Sequence, residues 1–195
     1  MPIASRKTAA AKTSKTSRAT KTSKAAPRRA SSAGADAIAL LRADHKEVSA
    51  LFEQYEKARA ATRKKALVDQ ICGDLRVHAQ IEEEIFYPAV KTALKDRELV
   101  PEALVEHASM KSLIEQIEGR APEGEEFDAK VKVLSEYVKH HVKEEQNELF
   151  PKVRATRLDL EELGQRLAQR KAELKGEGDS STSEVGRSQP VGVEA

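Results

Sequence analysis

His78-Ala79-Gln80-Ile81-Glu82 runs on to Phe86-Tyr87-Pro88, and His141-Val142-Lys143-Glu144-Glu145 runs on to Leu149-Phe150-Pro151. Each stretch carries a histidine and, four residues later, a glutamate. Four residues of α-helix rise about 6 Å and return to the same face, so each pair stacks one turn apart. Apolar residues continue each stripe: Leu67, Ile71, Leu75, Ile85 and Ala89 in the first, Phe127, Val131, Leu134, Val138 and Leu149 in the second. That spacing has the 3.6-residue period. Both stretches are therefore predicted to be amphipathic helices whose inward face carries polar groups.

Two more stripes accompany them. Ile38, Leu41, His45, Val48, Phe52 and Tyr55 step by three or four, as do Leu104, His107, Met110, Ile114 and Ile117. Asp36 or Asp44 is a candidate cap for the first helix, and Pro101 falls near the first turn of the third. The stretch 119–124, Gly-Arg-Ala-Pro-Glu-Gly, reads as a loop, and 91–100 as a weaker, charged one. The break near 60–63 has no strong marker. His45 with its followers Val48, Leu51, Glu53 and Glu56 recurs as His107, Met110, Leu113, Glu115 and Glu118, an offset of 62. The His-x-x-x-Glu helices recur at an offset of 63. Two similar helical hairpins with short links predict an all-α, up-down antiparallel four-helix bundle of approximate two-fold symmetry. The repeat also chooses between neighbours: His78 and His141 each precede a proline by ten residues, so His141 faces inward and His140 faces solvent.

Composition agrees. The chain has 195 residues, 34% charged and only 4% aromatic with no Trp, which favours helices over a β-sandwich. One cysteine excludes a disulfide framework and a thiolate-rich metal site. No apolar run is long enough for a membrane span, and the N-terminus has no apolar signal region, so a reducing, cytoplasmic setting is expected. Residues 1–35 carry nine Lys or Arg and no acid, and almost no large apolar side chain. Such a segment cannot offset the entropy of ordering and is expected to be a disordered basic tail, read as a solvated, solubilising segment, as one that contacts phosphates without reading sequence, or as an organelle transit peptide. The expected organisation is that tail, a bundle over 36–152, an extra amphipathic helix over 153–175 (Leu160, Leu163, Leu167 and Leu174) on the bundle or a partner, and a disordered tail over 176–195.

The bundle interior would hold four imidazoles, one per helix, and two carboxylates. Burying an unpaired carboxylate costs several kcal/mol, and no Lys or Arg lies on these stripes to neutralise it. A pair of multivalent metal ions would. Imidazole plus carboxylate without thiolate suits Fe, Mn, Zn or Ni. If Glu82 and Glu145 each bridge, two ions sharing an oxo or hydroxo group keep open positions, which is what binding O2, peroxide or NO requires. Ferritin-like bundles use Glu-x-x-His, and no histidine here has a glutamate three residues before it.

Asp44-His45, His78-x-x-x-Glu82 with Tyr87-Pro88, Glu106-His107, and His141-x-x-x-Glu145 with Phe150-Pro151 together resemble the hemerythrin-like HHE cation-binding family, over about residues 36–152. The resemblance implies a di-iron centre inside a four-helix bundle. It assigns His45, His78, His107 and His141 as terminal ligands and Glu82 and Glu145 as bridging carboxylates. Oxygen-carrying hemerythrins have a second histidine four residues after the third-helix one, where this chain has Lys111, and they usually end in His-x-x-x-x-Asp. That departure argues against reversible O2 carriage and leaves sensing, redox protection with peroxide or NO, and iron handling.

The remaining candidates receive plainer readings. Asp44 and Glu106 are read as caps or surface groups, Tyr55, Tyr87 and Tyr137 as packing residues, Cys72 as an inert packed thiol and Lys111 as a snorkelling surface residue. No side chain apart from the ligands stands out as a general acid or base, so catalysis is not assigned. Two other classes compete. One is a nucleic-acid-associated protein that works through residues 1–35 with the bundle as sensor or dimeriser. The other is a structural bundle whose histidines stay empty or hold zinc.

Overall fold

The structure is a computed structural model that describes residues 36–95 and 97–184. Among these residues the chain is helical throughout. The first rod is α1 (Ala37–Lys57) and the second is α2 (Ala61–Ile81), which passes through a π-turn (Glu82–Phe86) into α3 (Tyr87–Leu94). The third is α4 (Leu99–Ile117). The fourth is α5 (Glu125–Glu144), which passes through a second π-turn (Glu145–Leu149) into α6 (Phe150–Arg154). These four antiparallel rods are the predicted bundle. A last helix, α7 (Leu160–Glu184), lies against α1, α2 and the first π-turn.

Local chemistry sets the ends. Asp36 caps α1, its Oδ1 accepting from the Ala39 N–H at 2.8 Å. Asp44 sits in mid-helix and caps nothing. The weakly marked break falls at residues 58–60, and the 119–124 loop turns on Gly119 and Gly124 at φ 70° and 87°, a backbone region open to glycine. Asp159 starts α7 by accepting from the Glu162 N–H at 3.0 Å.

Two expectations need correction. The extra helix begins at Leu160 rather than 153, because Val153 and Arg154 finish α6. It also continues to Glu184, into the stretch expected to be a disordered tail. Gly176 and Gly178 each cost about 1 kcal/mol in a helix, but a helix already docked extends without a second nucleation cost. Leu163 and Leu167 anchor it in the same cluster as Ile38 and Leu41, so its apolar stripe serves the bundle. Residues 1–35 and 185–195, including the basic tail, lie outside the described residues. No helix among those described is long and apolar enough to cross a membrane.

The core forms two apolar clusters along the bundle axis. One gathers Val48, Phe52, Leu67, Ile71, Met110, Ile114, Val131 and Leu134. The other gathers Ile38, Leu41, Ile81, Phe86, Val90, Phe150 and Leu167. Between them lies a buried polar layer, with His45, His78, Glu82, His107, His141 and Glu145 all between 0 and 7% exposed.

Candidate metal centre

That layer brings together all six residues singled out from the sequence. His45 and His78 point Nε2 at each other across 3.0 Å, and His107 and His141 do so across 3.2 Å. Each imidazole pair belongs to one hairpin, and each carboxylate lies between the pairs. Glu82 Oε2 is 3.2 Å from His78 Nε2 and 3.5 Å from His107 Nε2. Glu145 Oε2 is 3.2 Å from His45 Nε2 and 3.7 Å from His141 Nε2. Two groups of potential ligand atoms, each within 4.8 Å, result: His45, His78, Glu82 and Glu145, and then Glu82, His107 and His141.

The outer nitrogens explain why the inner ones converge. His141 Nδ1 is 2.8 Å from Glu106 Oε2, His107 Nδ1 is 2.9 Å from Glu83 Oε1, and His78 Nδ1 is 3.5 Å from Asp44 Oδ2. A carboxylate only accepts, so these rings donate from Nδ1, and a neutral ring then presents the Nε2 lone pair inward. His45 Nδ1 instead faces the Gln146 amide nitrogen, 3.3 Å away, which donates to it. Lone pairs facing each other across 3 Å repel unless a cation or proton lies between them. Glu82 Oε1 and Glu145 Oε2 are also buried with no hydrogen-bond partner. The donor set therefore fits metal ions and leaves buried acceptors that the protein itself does not satisfy.

Asp44 and Glu106 thus correct the sequence reading: both orient imidazoles of the buried layer. Glu83 and Gln146 were missed, although the 63-residue repeat aligns them. Lys111, where oxygen carriers place a histidine, ion-pairs with Glu83 Oε2 at 2.6 Å and so backs the carboxylate that holds His107. His140 is 62% exposed, as predicted.

Tyr87 does more than pack. In an α-helix five residues turn roughly 500°, leaving Tyr87 about 140° from Glu82. The π-turn, in which the Tyr87 N–H donates to the Glu82 carbonyl, brings it back to that side. Its hydroxyl donates to Glu145 Oε1 at 3.0 Å and lies 3.4 Å from Glu82 Oε2. Burial, then the two carboxylates, raise its pKa well above the usual value, so it stays a donor. The second π-turn places Phe150 equivalently, stacked parallel on His45 at 5.9 Å. Pro88 and Pro151 follow these turns and lack the N–H that a regular α-turn needs, so the wider turns absorb the break. Of the other aromatic candidates, Tyr55 donates to Asp128 at 2.6 Å and Tyr137 is 47% exposed. Burial pushes the Cys72 thiol up to about 12, consistent with inertness.

Protons and cations compete for the same lone pairs. Burial alone would lower His78, but Glu82 and the hydrogen bond to Asp44 outweigh it and raise its pKa to about 10. The metal-free centre therefore keeps a proton on His78 at neutral pH. Cation uptake must expel it, and affinity should rise with pH up to about 10. An indicator dye in weakly buffered solution would record the release, and uptake without it would contradict this account.

A cavity of about 30 Å3 opens against the four imidazoles, walled by Val48, Leu75, Met110, Ile114 and Val138. It has room for a very small guest. Asp44, Asp74 and Lys171 also line it. Lys171 and Lys175 of α7 reach Asp44 Oδ1 at 2.5 Å and Asp74 Oδ1 at 2.9 Å, so α7 is tied to the two helices beside it.

A buried four-histidine, two-glutamate layer inside an antiparallel bundle defines a helical cation-binding domain. The sequence model of the hemerythrin HHE cation-binding domain matches residues 36–153, and the chain belongs to that family. A protein of Nostoc sp. named DNA nickase is 33% identical over 115 residues, which are 59% of this chain and 32% of that protein. The chain thus spans about a third of that relative's length. A crystal structure of a hemerythrin HHE cation-binding domain-containing protein from Mycobacterium kansasii superposes with a TM-score of 0.67 at 22% identity. It covers 78% of this chain and 94% of that one, and supports the fold.

Proposed function

We propose that the chain is a non-haem di-iron protein that binds a small oxidant, O2, peroxide or NO, for sensing, redox protection or iron handling. One observation carries the reading: two facing Nε2 pairs, at 3.0 and 3.2 Å, with each glutamate reaching toward both. His45 and His78 would hold one iron, His107 and His141 the other, and Glu82 and Glu145 would bridge. Bound iron would supply redox change and open coordination positions for the guest. The protein supplies the rest. Asp44, Glu83, Glu106 and Gln146 fix the rings, Tyr87 holds a proton beside Glu145, and the apolar wall admits a small uncharged guest while disfavouring bulk water.

The test is anaerobic reconstitution of the full chain with Fe(II), metal analysis, and absorption during exposure to O2, H2O2 and NO. A pair of irons per chain with charge-transfer absorption that responds to these gases or peroxide is expected. A single zinc and no colour would end the reading. Reversible spectra would mean binding or sensing, and continuous loss of peroxide would mean turnover.

A second reading rests on the basic segment 1–35 and on a relative named DNA nickase. It makes the chain a nucleic-acid-associated protein with the bundle as its sensor. Duplex DNA should then bind the full chain, weaken with salt, and lose affinity when residues 1–35 are removed. Unchanged affinity after the deletion would dismiss it.

A further inference from the structure

The two hairpins correspond closely around the centre, and they part company just outside it. Asp44 and Glu106 each precede a ligand histidine and each accept from Nδ1 of the histidine on the next rod. The other oxygen of Asp44 is taken by Lys171 of α7 at 2.5 Å. The other oxygen of Glu106 faces His140 Nε2 at 3.3 Å, and that nitrogen is 3.1 Å from Glu144 Oε1. One imidazole and two carboxylates therefore meet at the surface, their ligand atoms within 4.8 Å of one another. The repeat places Val77 and Ile81 where the second hairpin has His140 and Glu144, so the first hairpin has no such cluster. Among the described residues, the ion pairs of Glu106 and Glu144 run only to His140 and His141.

This cluster communicates with the interior. Glu106 holds His141 from outside through its Oε2. Glu144 ends α5 and Glu145 begins the π-turn, so neighbouring residues face outward and inward. A small cavity, about 10 Å3, lies between them and is lined by Glu106, His141, Glu144 and Glu145, with Leu99 and Leu149. That is about the size of one water. Glu145, 2% exposed, contributes to its wall, and its Oε2 lacks a hydrogen-bond partner.

We infer that His140, Glu106 and Glu144 form an outer divalent-cation site that captures the metal before it passes to the buried centre. The inference rests on the proposed di-metal reading of that centre. A one-nitrogen, two-oxygen set suits Fe(II), Mn(II) or Zn(II). With only three protein donors the ion keeps waters and exchanges readily, as a transit site requires. The Glu106 carboxylate touches His140 with one oxygen and His141 with the other, and the cavity is lined by residues of both places.

The test uses full-length, metal-free protein and two variants, His140→Ala and Glu144→Gln, with folding checked by circular dichroism. Equilibrium dialysis against Zn(II) should give two tight ions and a third, weaker one in the unaltered chain. In either variant the third ion should weaken by about 10-fold or more, with the two tight ions retained. Anaerobic Fe(II) uptake, followed by stopped-flow, should slow in both variants and reach the same final occupancy. A third ion that persists in both variants would overturn the inference. So would only two ions in the unaltered chain with uptake rates unchanged by the substitutions, and there the di-metal centre itself would stand. Failure of the unaltered chain to bind any tight ion would overturn the di-metal reading along with it.

Discussion

Glu82→Gln is expected to empty both metal positions together. Glu82 is fully buried, and its Oε2 lies near an imidazole of each hairpin, 3.2 Å from His78 and 3.5 Å from His107. An amide keeps the shape but loses the charge that would offset the two proposed cations. Loss of a group that only supports a ligand already costs about 10–100-fold in metal affinity, so the loss here should be at least that large. Thermal unfolding gives a second readout. A metal held at 100 times its dissociation constant stabilises the folded chain by about 2.7 kcal/mol, and the variant should show no such gain on adding iron. Retention of half the metal would mean that Glu82 serves a single ion and that the shared-carboxylate reading is wrong.

Phe150→Ala should be the most damaging of the packing changes near the centre. The ring is 0% exposed, lies parallel to His45 at 5.9 Å and meets Phe86 edge-on at 5.8 Å. Truncating such a residue costs about 3–5 kcal/mol, because the cavity left behind closes only partly. For a domain of this size the melting temperature should fall by roughly 10 °C. Metal affinity should fall too, since His45 loses the surface that fixes its ring. Denaturant titration of the metal-free variant separates the two effects. A loss under about 1 kcal/mol would show that the packing around Phe150 relaxes freely, contrary to the jigsaw character of buried aromatic contacts.

The bundle and the six central residues were legible because periodicity and repetition reinforce each other. A single histidine on an apolar stripe says little, whereas His45, His78, His107 and His141, one per rod and doubled at offsets of 62 and 63, leave few arrangements. The supporting residues were harder. Glu83 and Glu106 look like ordinary solvated acids, because their partners lie on other rods and only packing reveals them. Tyr87 reads from the sequence as a packing residue, and straight helical phase would point it away from Glu82; the π-turn that redirects it has no strong local signature beyond the following proline. The end of α7 was misjudged for a related reason. Composition near Gly176 and Gly178 favours a coil, and docking of Leu163 and Leu167 upstream supplies the nucleus that composition cannot show.

Each π-turn is a one-residue step in phase, and the chain takes that step twice, at Glu82 and at Glu145. Length is therefore rationed very unevenly along this polypeptide. Inserting a single codon between Glu82 and Pro88 would barely alter composition, yet it would swing everything downstream by about 100° and draw the Tyr87 hydroxyl out of the interior. The same insertion within 119–124, an exposed connection, would lengthen a linker and leave the rods in register. Lineages of this domain should accordingly vary in length at that bend and gain no residue across the two junctions.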